Sequence, residues 1–258
     1  MEISQHIAAI ERDGELMAAA ARQAGLAAVV PSCAPWQVRD LLRHQGYVHR
    51  WAAAYVSVPI RAEAPELTEA EQLAGGAADD RLLDWFRDGH GALVATLRAA
   101  DPGVGSWTFL DAPSPLAFWA RRQAHETAIH RADAQLAAGQ APGYQPDFAA
   151  DGVDELIMGF FARSDAEAGP DGESALGRTL LIRASDAGRE WRAELSADGE
   201  RVARVSRGAG PAACTLDGPA SGLYLLLWNR SDAASAGVSV SGDDELAAAW
   251  RAGMHVRW

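Results

Sequence analysis

Two residues that can bind a divalent cation, Glu126 and His130, lie four positions apart in a segment typical of a long helix. Four residues of α-helix turn through roughly 400°, so these side chains leave the helix about 40° apart on one face. A carboxylate and an imidazole placed in this way can both reach one metal ion. Trp119 and Ala137 share the same stripe, which indicates that the face points inward. Because an inward carboxylate is costly unless it is paired or metal-bound, we favour a metal site.

A third ligand is expected from residues 35–51, where apolar side chains recur at helical spacing. His44 lies three residues after Leu41 and four before Val48, so it shares their apolar face. His49 is five residues further on and is rotated by roughly 140° from His44, so one helix can hardly offer both to one ion. We favour His44 because its face is the more apolar, and His49 remains the alternative ligand.

Each candidate also has an ordinary structural interpretation. A glutamate with a basic partner four residues away commonly stabilises a helix by about 0.2–0.5 kcal/mol without any ligand. Asp133, three residues after His130, either accepts a hydrogen bond from an imidazole N–H and fixes its tautomer, or pairs with Arg131 or Arg122 on the helix surface. His125 points to a different face from Glu126 and is interpreted as a structural residue.

Five segments, taken in order, resemble the mycothiol-dependent maleylpyruvate isomerase family, which belongs to the wider DinB-like group of metalloproteins. Three are in the first half: PSCAPW at 31–36, LLRH at 41–44 and FWARRQAHETAIHRAD at 118–133. Two more, GLYLLLWNR at 222–230 and VSVSGDDEL at 238–246, resemble the second domain of that family. The resemblance therefore extends over nearly the whole chain.

The resemblance implies a metal-dependent enzyme that uses a low-molecular-weight thiol, mycothiol, on a small electrophilic substrate. Zn²⁺, or another divalent metal, would be held by His44, Glu126 and His130. An arginine of the second domain helps to bind the thiol cofactor or the substrate in that family, and we nominate Arg230 for this role. Isomerisation and thiol S-transfer both remain open. The alternatives are a non-catalytic metal- or ligand-binding DinB-like protein and a hydrolase that uses metal-activated water.

The composition excludes several other classes of protein. The 258 residues carry a formal net charge of −12, which disfavours binding to the phosphate backbone of nucleic acids. All basic residues are arginines, so a Schiff-base lysine mechanism is excluded. We find no apolar run of about 18 residues and no secretion signal, so we expect a cytoplasmic protein without a membrane partner. The two cysteines, Cys33 and Cys214, are then expected to be reduced.

The first half of the chain is predicted to form an antiparallel bundle of four long helices. The spacing of apolar residues predicts them at 3–24, 35–58, 79–100 and 114–138. Long loops at 61–77 and 101–113 join the helices, and Trp107 and Phe109 of the second loop could overhang the mouth of the bundle.

The composition changes after residue 139, where a linker-like stretch begins. Alternating apolar residues then predict short strands among helices, at 148–164 (helix), 178–183, 190–195, 201–205 and 213–216 (strands), 219–229 and 243–252 (helices). We therefore predict an α+β fold with two domains: a DinB-like metal-binding four-helix bundle at 1–142, and an α+β domain with a small antiparallel sheet at 143–258.

Overall fold

A computed structural model describes residues 1–57, 71, 74–162, 176–196 and 202–253. The chain divides into two compact units, Met1–Pro142 and Gly143–Trp258. The first unit is helical and the second contains a five-stranded sheet with helices, so the predicted α+β class is confirmed.

The first unit contains four long helices, which begin and end close to the predicted positions. They are α1 (Ile3–Ala24), α2 (Val38–Ser57), α3 (Leu82–Ala99) and α4 (Pro115–Ala137). Ser114 caps α4, since its hydroxyl oxygen accepts a hydrogen bond of 3.2 Å from the backbone N–H of Ala117, and Pro115 occupies the first helical position. The predicted end of the second helix, at Val58, lies outside the described residues.

Helix α4 is the central element of the bundle. It packs against α1 and α2, and α3 completes the ring by packing against both of those helices. Helices α2 and α4 run in opposite directions, because the rings of His44 and His130 meet near one end while those of Tyr55 and Trp119 meet near the other. Because the two helices pack in this way, residues of α2 lie opposite the segment of α4 that carries Glu126.

The bundle departs from the predicted antiparallel order at two pairs of neighbouring helices, because α1 runs in the same direction as α4, and α2 in the same direction as α3. Arg43 of α2 bonds Asp79, just before α3, while His49, further along α2, meets His90, further along α3. Parallel neighbours in a bundle need a long crossover connection, and residues 58–78 supply its length. Most of the loop predicted at 61–77 lies outside the described residues.

The segment between α3 and α4 packs against the ends of α2 and α4. Ser106 donates a hydrogen bond of 2.6 Å to the backbone oxygen of Tyr55, and the indole N–H of Trp119 donates one of 3.1 Å to the backbone oxygen of Trp107. The ring of Phe109 lies edge-on to Phe118, with centroids 4.8 Å apart. Aromatic packing therefore closes this end of the two helices that carry the candidate ligands.

The second unit contains a sheet with helices. Its elements are α5 (Pro146–Asp154), continued by a π-helical turn (Glu155–Phe161), then β1 (Leu176–Ala184), β2 (Arg189–Ser196), β3 (Val202–Arg207), β4 (Cys214–Gly218), α6 (Ala220–Leu227), β5 (Ser239–Gly242) and α7 (Asp244–Gly253). The predicted hairpin of the first two strands forms, with Gly188 at a φ of +60° in its turn.

The prediction of a purely antiparallel sheet is wrong for one pair of strands. The strand order is β3-β2-β1-β4-β5, and β4 pairs with β1 in parallel. The chain after β3 crosses β2, where Arg192 donates a hydrogen bond to the backbone oxygen of Pro211, and so reaches the free edge of β1. That edge needs a partner because β1 is central and its unpaired backbone groups would be buried. The sequence also did not predict β5.

A buried carboxylate ties α5 to the sheet. Asp154, at the end of α5, accepts a hydrogen bond of 2.9 Å from the indole N–H of Trp191 in β2. It also accepts two bonds, of 2.6 Å and 2.8 Å, from the guanidinium of Arg207 in β3. One side chain therefore connects a helix to two strands.

Replacement of Asp154 by Ala is expected to lower the free energy of unfolding of the second unit by about 1.5–3 kcal/mol, the usual contribution of hydrogen bonds to a charged group. We expect a loss near the lower end of this range, because the Arg207 side chain is 63% exposed and solvent screens its charge. Urea denaturation of the full chain measures this. The matched control is Asp217→Ala, which removes an ion pair with Arg183 on the exposed side of the sheet and is expected to cost below about 1 kcal/mol. Equal losses in the two variants would contradict the assignment.

Candidate metal centre

Three side chains that can bind a metal converge between α2 and α4. Oε1 of Glu126 lies 3.2 Å from Nε2 of His130 and 3.5 Å from Nε2 of His44. All three donor atoms lie within 4.8 Å of one another. The structure therefore brings together the residues that the sequence nominated as ligands.

The spacing of these atoms fits a small divalent cation. Bonds of roughly 2.0–2.1 Å at tetrahedral angles place neighbouring ligand atoms roughly 3.3–3.4 Å apart, as in zinc sites. The two distances from Oε1 of Glu126, 3.2 Å and 3.5 Å, lie on either side of this value. Two imidazoles and one carboxylate are also the donor types that Zn²⁺ prefers, and they leave a fourth position open.

Asp133 sets the orientation of His130. Nδ1 of His130 donates a hydrogen bond of 2.8 Å to Oδ2 of Asp133, so the neutral ring carries its lone pair on Nε2. That lone pair faces Oε1 of Glu126, and two electron-rich atoms at this distance need a proton or a metal ion between them. Asp133 is itself completely buried and accepts a hydrogen bond from Ser32. Of the two sequence-based interpretations of Asp133, the structure therefore shows the contact with an imidazole.

Arg122 holds the other oxygen of the glutamate. Its Nη2 lies 2.9 Å from Oε2 of Glu126, one helical turn further along α4, and both side chains are at least 95% buried. The sequence indicated that Arg122 is solvated or paired with an acid, and in the structure its acidic partner is the buried Glu126. The four-residue spacing from Glu126 was a signal for this pair. Ser32 lies in the PSCAPW segment that resembles the family, but no spacing rule connects it with Asp133, 101 positions away.

The electrostatics of the cluster favour charged groups in spite of burial. Burial would raise the pKa of Glu126, but hydrogen bonds from His130 and His44 and the charge of Arg122 hold it well below its usual range. Burial would lower the pKa of His130, but Asp133 and Glu126 outweigh this effect and raise it to about 9. Without a metal, His130 is therefore protonated at neutral pH, and a bound cation would replace that proton.

The alternative ligand, His49, lies elsewhere in the bundle. It is fully buried, its Nε2 lies 2.8 Å from Nε2 of Gln45 and 2.9 Å from Oγ1 of Thr127, and its ring packs against Phe86 and His90. Burial and the neighbouring His90 lower the pKa of His49 well below its usual value, so the ring is neutral. The structure thus places His44, and not His49, beside Glu126.

Arg230 lies in the second unit, directly after the end of α6. The backbone N–H of Arg230 bonds the oxygen of Leu225 and that of Asn229 bonds the oxygen of Leu226, while Asn229 has a φ of +60°. These bonds form a Schellman motif, which fixes the direction of the chain where it leaves the helix. The guanidinium of Arg230 donates a hydrogen bond of 2.7 Å to the backbone oxygen of Trp228.

Two aromatic rings close to the candidate ligands, those of Trp36 and His125, lie in different environments. The ring of Trp36 lies 5.1 Å from that of His44 and is half-buried. His125 points away from the three donors, as predicted, and its ring lies edge-on to that of His6 at 6.1 Å. Trp36 therefore borders the candidate site, whereas His125 belongs to the interior between α1 and α4.

Two family models match the chain in sequence. The model of the mycothiol maleylpyruvate isomerase N-terminal domain matches residues 7–135, and that of the MDMPI C-terminal domain matches residues 147–249. The chain belongs to the mycothiol-dependent maleylpyruvate isomerase family. The resemblance noted in the sequence is therefore confirmed, and the candidate ligands all lie within the N-terminal domain of this family.

Two solved structures share the fold. Both are crystal structures of the mycothiol-dependent maleylpyruvate isomerase, one of them a variant with a histidine replaced by alanine. Each has a TM-score of 0.61, and each match covers 93% of both chains at 12% or 13% sequence identity. No curated protein matches the chain in sequence. Among the described residues, every helix is too short or too polar to cross a lipid bilayer.

We expect the wild-type chain to bind about one divalent ion, and expect Glu126→Ala, His130→Ala and His44→Ala to lower its affinity by more than about 100-fold. Partners that only orient metal ligands already contribute about 10- to 100-fold, so removal of a ligand should cost more. Elemental analysis after dialysis against a weak chelator measures the loss. His49→Gln is the control and should keep its metal; loss of metal in this variant alone would replace His44 by His49 as the ligand.

His49 also predicts a dependence of stability on pH. Its pKa is lowered in the folded chain, so the stability that the neutral ring supports is complete above the unfolded value, about 6.5, and is lost as the pH falls below it. The slope for one proton is about 1.4 kcal/mol per pH unit. Urea denaturation between neutral and mildly acidic pH should therefore show a shallower loss for His49→Gln than for the wild type. If the free energy of unfolding falls equally with pH in the two proteins, the protonation of His49 does not destabilise the fold.

Proposed function

We propose that the chain is a metal-dependent enzyme that uses a low-molecular-weight thiol, mycothiol, to isomerise a small electrophile or to transfer the thiol to it. The observation that carries this proposal is the convergence of His44, Glu126 and His130 on one point between α2 and α4. Three protein ligands leave one position of a tetrahedral metal open, as in catalytic zinc sites. Membership of the mycothiol-dependent maleylpyruvate isomerase family supports a thiol as the occupant of that position.

A divalent ion held there would supply a positive charge that keeps a bound thiol deprotonated near neutral pH. The side chains of the protein hold the ligand atoms in position. Asp133 keeps the proton of His130 on Nδ1, so that Nε2 presents its lone pair. His44 approaches from the other helix, with Trp36 beside its ring. Because Glu126 is 4% exposed, few water molecules compete for its charge.

The two proposed reactions differ in one bond. Both begin with a new bond between the sulfur of the thiol and a carbon of the substrate. As that bond forms, the electron pair of the substrate's double bond moves towards the conjugated carbonyl oxygen. In isomerisation the sulfur–carbon bond breaks after rotation and the double bond returns, whereas in S-transfer the bond remains and the neighbouring carbon takes up the proton that the thiol released. An activated double bond, such as one conjugated with a carbonyl group, suits both reactions, and we propose this substrate class.

We propose Arg230 as the residue that binds a carboxylate of the substrate or of the thiol. Its position after a Schellman motif fixes its backbone, which limits the entropy lost when its side chain binds an anion. Its planar guanidinium can donate two hydrogen bonds to one carboxylate, which a lysine cannot do with the same geometry.

The test follows both the loss of substrate and the loss of free thiol when the purified full chain is incubated with Zn²⁺, mycothiol and a panel of conjugated carbonyl compounds. We expect turnover in the wild type and a loss of more than about 100-fold in Glu126→Ala, because the thiol is then no longer bound as a thiolate. His49→Gln, which lies outside the donor set, is the matched control and should retain turnover. In Arg230→Ala we expect the metal to remain and KM to rise for whichever partner carries the carboxylate.

Two results would redirect the proposal. Metal binding without loss of substrate or of thiol across the whole panel would favour a non-catalytic binding protein. Turnover of esters or amides with no need for thiol would favour a hydrolase that uses a metal-activated water. Disappearance of the substrate without net loss of thiol indicates isomerisation, and stoichiometric loss of thiol indicates S-transfer.

A further inference from the structure

The two oxygens of Glu126 have different partners. Oε1 faces Nε2 of both His44 and His130, while Oε2 lies 2.9 Å from Nη2 of Arg122. A carboxylate can bind a metal through one oxygen or through both. When Oε2 already accepts a charged hydrogen bond, one of its lone pairs is occupied and a guanidinium charge lies beside it, so an ion placed between the histidines is bound through Oε1 in preference to both oxygens.

The burial of Arg122 makes this arrangement rigid. Its side chain is 2% exposed and that of Glu126 is 5% exposed, and the two lie one turn apart on α4. A guanidinium removed from water keeps its charge and needs a charged partner, so Arg122 cannot easily release Oε2. The helix backbone that carries both residues holds the pair in register.

We propose that Arg122 is a positioning residue that restricts Glu126 to binding the metal through Oε1 alone. The site then offers three donor atoms and one open position, the arrangement that suits Zn²⁺. Ions such as Mn²⁺ prefer more oxygen donors, and would gain from a second carboxylate oxygen that Arg122 withholds. This inference rests on the proposed metal site, and it assigns to Arg122 the selection of coordination number and thereby of the metal.

The chain offers a matched control for the loss of a buried ion pair. Arg131, also on α4, lies 3.2 Å from Asp13 of α1, with side chains 6% and 0% exposed. Arg131→Met therefore breaks a comparable buried pair on the same helix without touching the oxygens of Glu126. Any effect shared by Arg122→Met and Arg131→Met reflects the broken pair, and the difference between them reflects the metal site.

The experiment replaces the metal by Co²⁺ and records the visible absorption of the full chain, because the d–d bands of four-coordinate Co²⁺ are stronger than those of five-coordinate Co²⁺. We expect strong bands in the wild type and in Arg131→Met, and weaker bands in Arg122→Met, where Oε2 can also bind. Competition titrations should show Zn²⁺ binding to Arg122→Met about 10- to 100-fold more weakly, the usual effect of removing a ligand's partner. The ratio of the Zn²⁺ affinity to the Mn²⁺ affinity should also be lower in Arg122→Met than in the wild type.

Arg122→Lys keeps a positive charge beside Oε2 and guards against misfolding of the methionine variant. We expect it to restore the strong bands, wholly or in large part. Bands of wild-type intensity and an unchanged Zn²⁺ to Mn²⁺ ratio in Arg122→Met would overturn the role of Arg122 while leaving the metal site intact. Failure of the wild type itself to bind Co²⁺ or Zn²⁺ would instead overturn the proposed function, and the inference with it.

Discussion

A carboxylate buried between two imidazoles is stable only while positive charge lies beside it, and the first unit is organised around that condition at Glu126. Arg122 supplies a permanent charge at one oxygen, and the histidines, through a proton or a shared metal ion, supply the rest at the other. Without these partners the cost of burying the charge would be several kcal/mol, comparable with the whole stability of a domain.

The surrounding elements supply the partners that this centre needs. Because most residues of α4 are buried, its polar side chains must find partners within the protein. The short 3₁₀ turn Pro31–Cys33 brings Ser32 over Asp133, which in turn orients His130. The aromatic residues at the other end of α2 and α4 fix the separation of these helices, and with it the distance from His44 to Glu126.

The sequence predicted most of the candidate site because its signals are local. Helical periodicity alone placed Glu126 and His130 on one face and separated His44 from His49. The contact of Ser32 with Asp133 could not be predicted, because it joins distant segments through tertiary packing. In the second unit the same limit applied to the parallel pairing of β4, which depends on a crossover, and to β5, whose alternation of serine and valine spans too few residues to distinguish a strand from a loop. Patterns within one element were informative, whereas pairings between elements required the structure.

The parallel course of α2 and α3 has a kinetic consequence. His44 and Glu126 come from helices that are neighbours in space but not in sequence, so their meeting closes a loop of about 80 residues. Contacts of such long range form late in folding, after the local helices have appeared. The donor set thus assembles only when α2 and α4 have packed against each other, and an ion would be captured by a largely formed bundle instead of serving as the nucleus around which the bundle condenses.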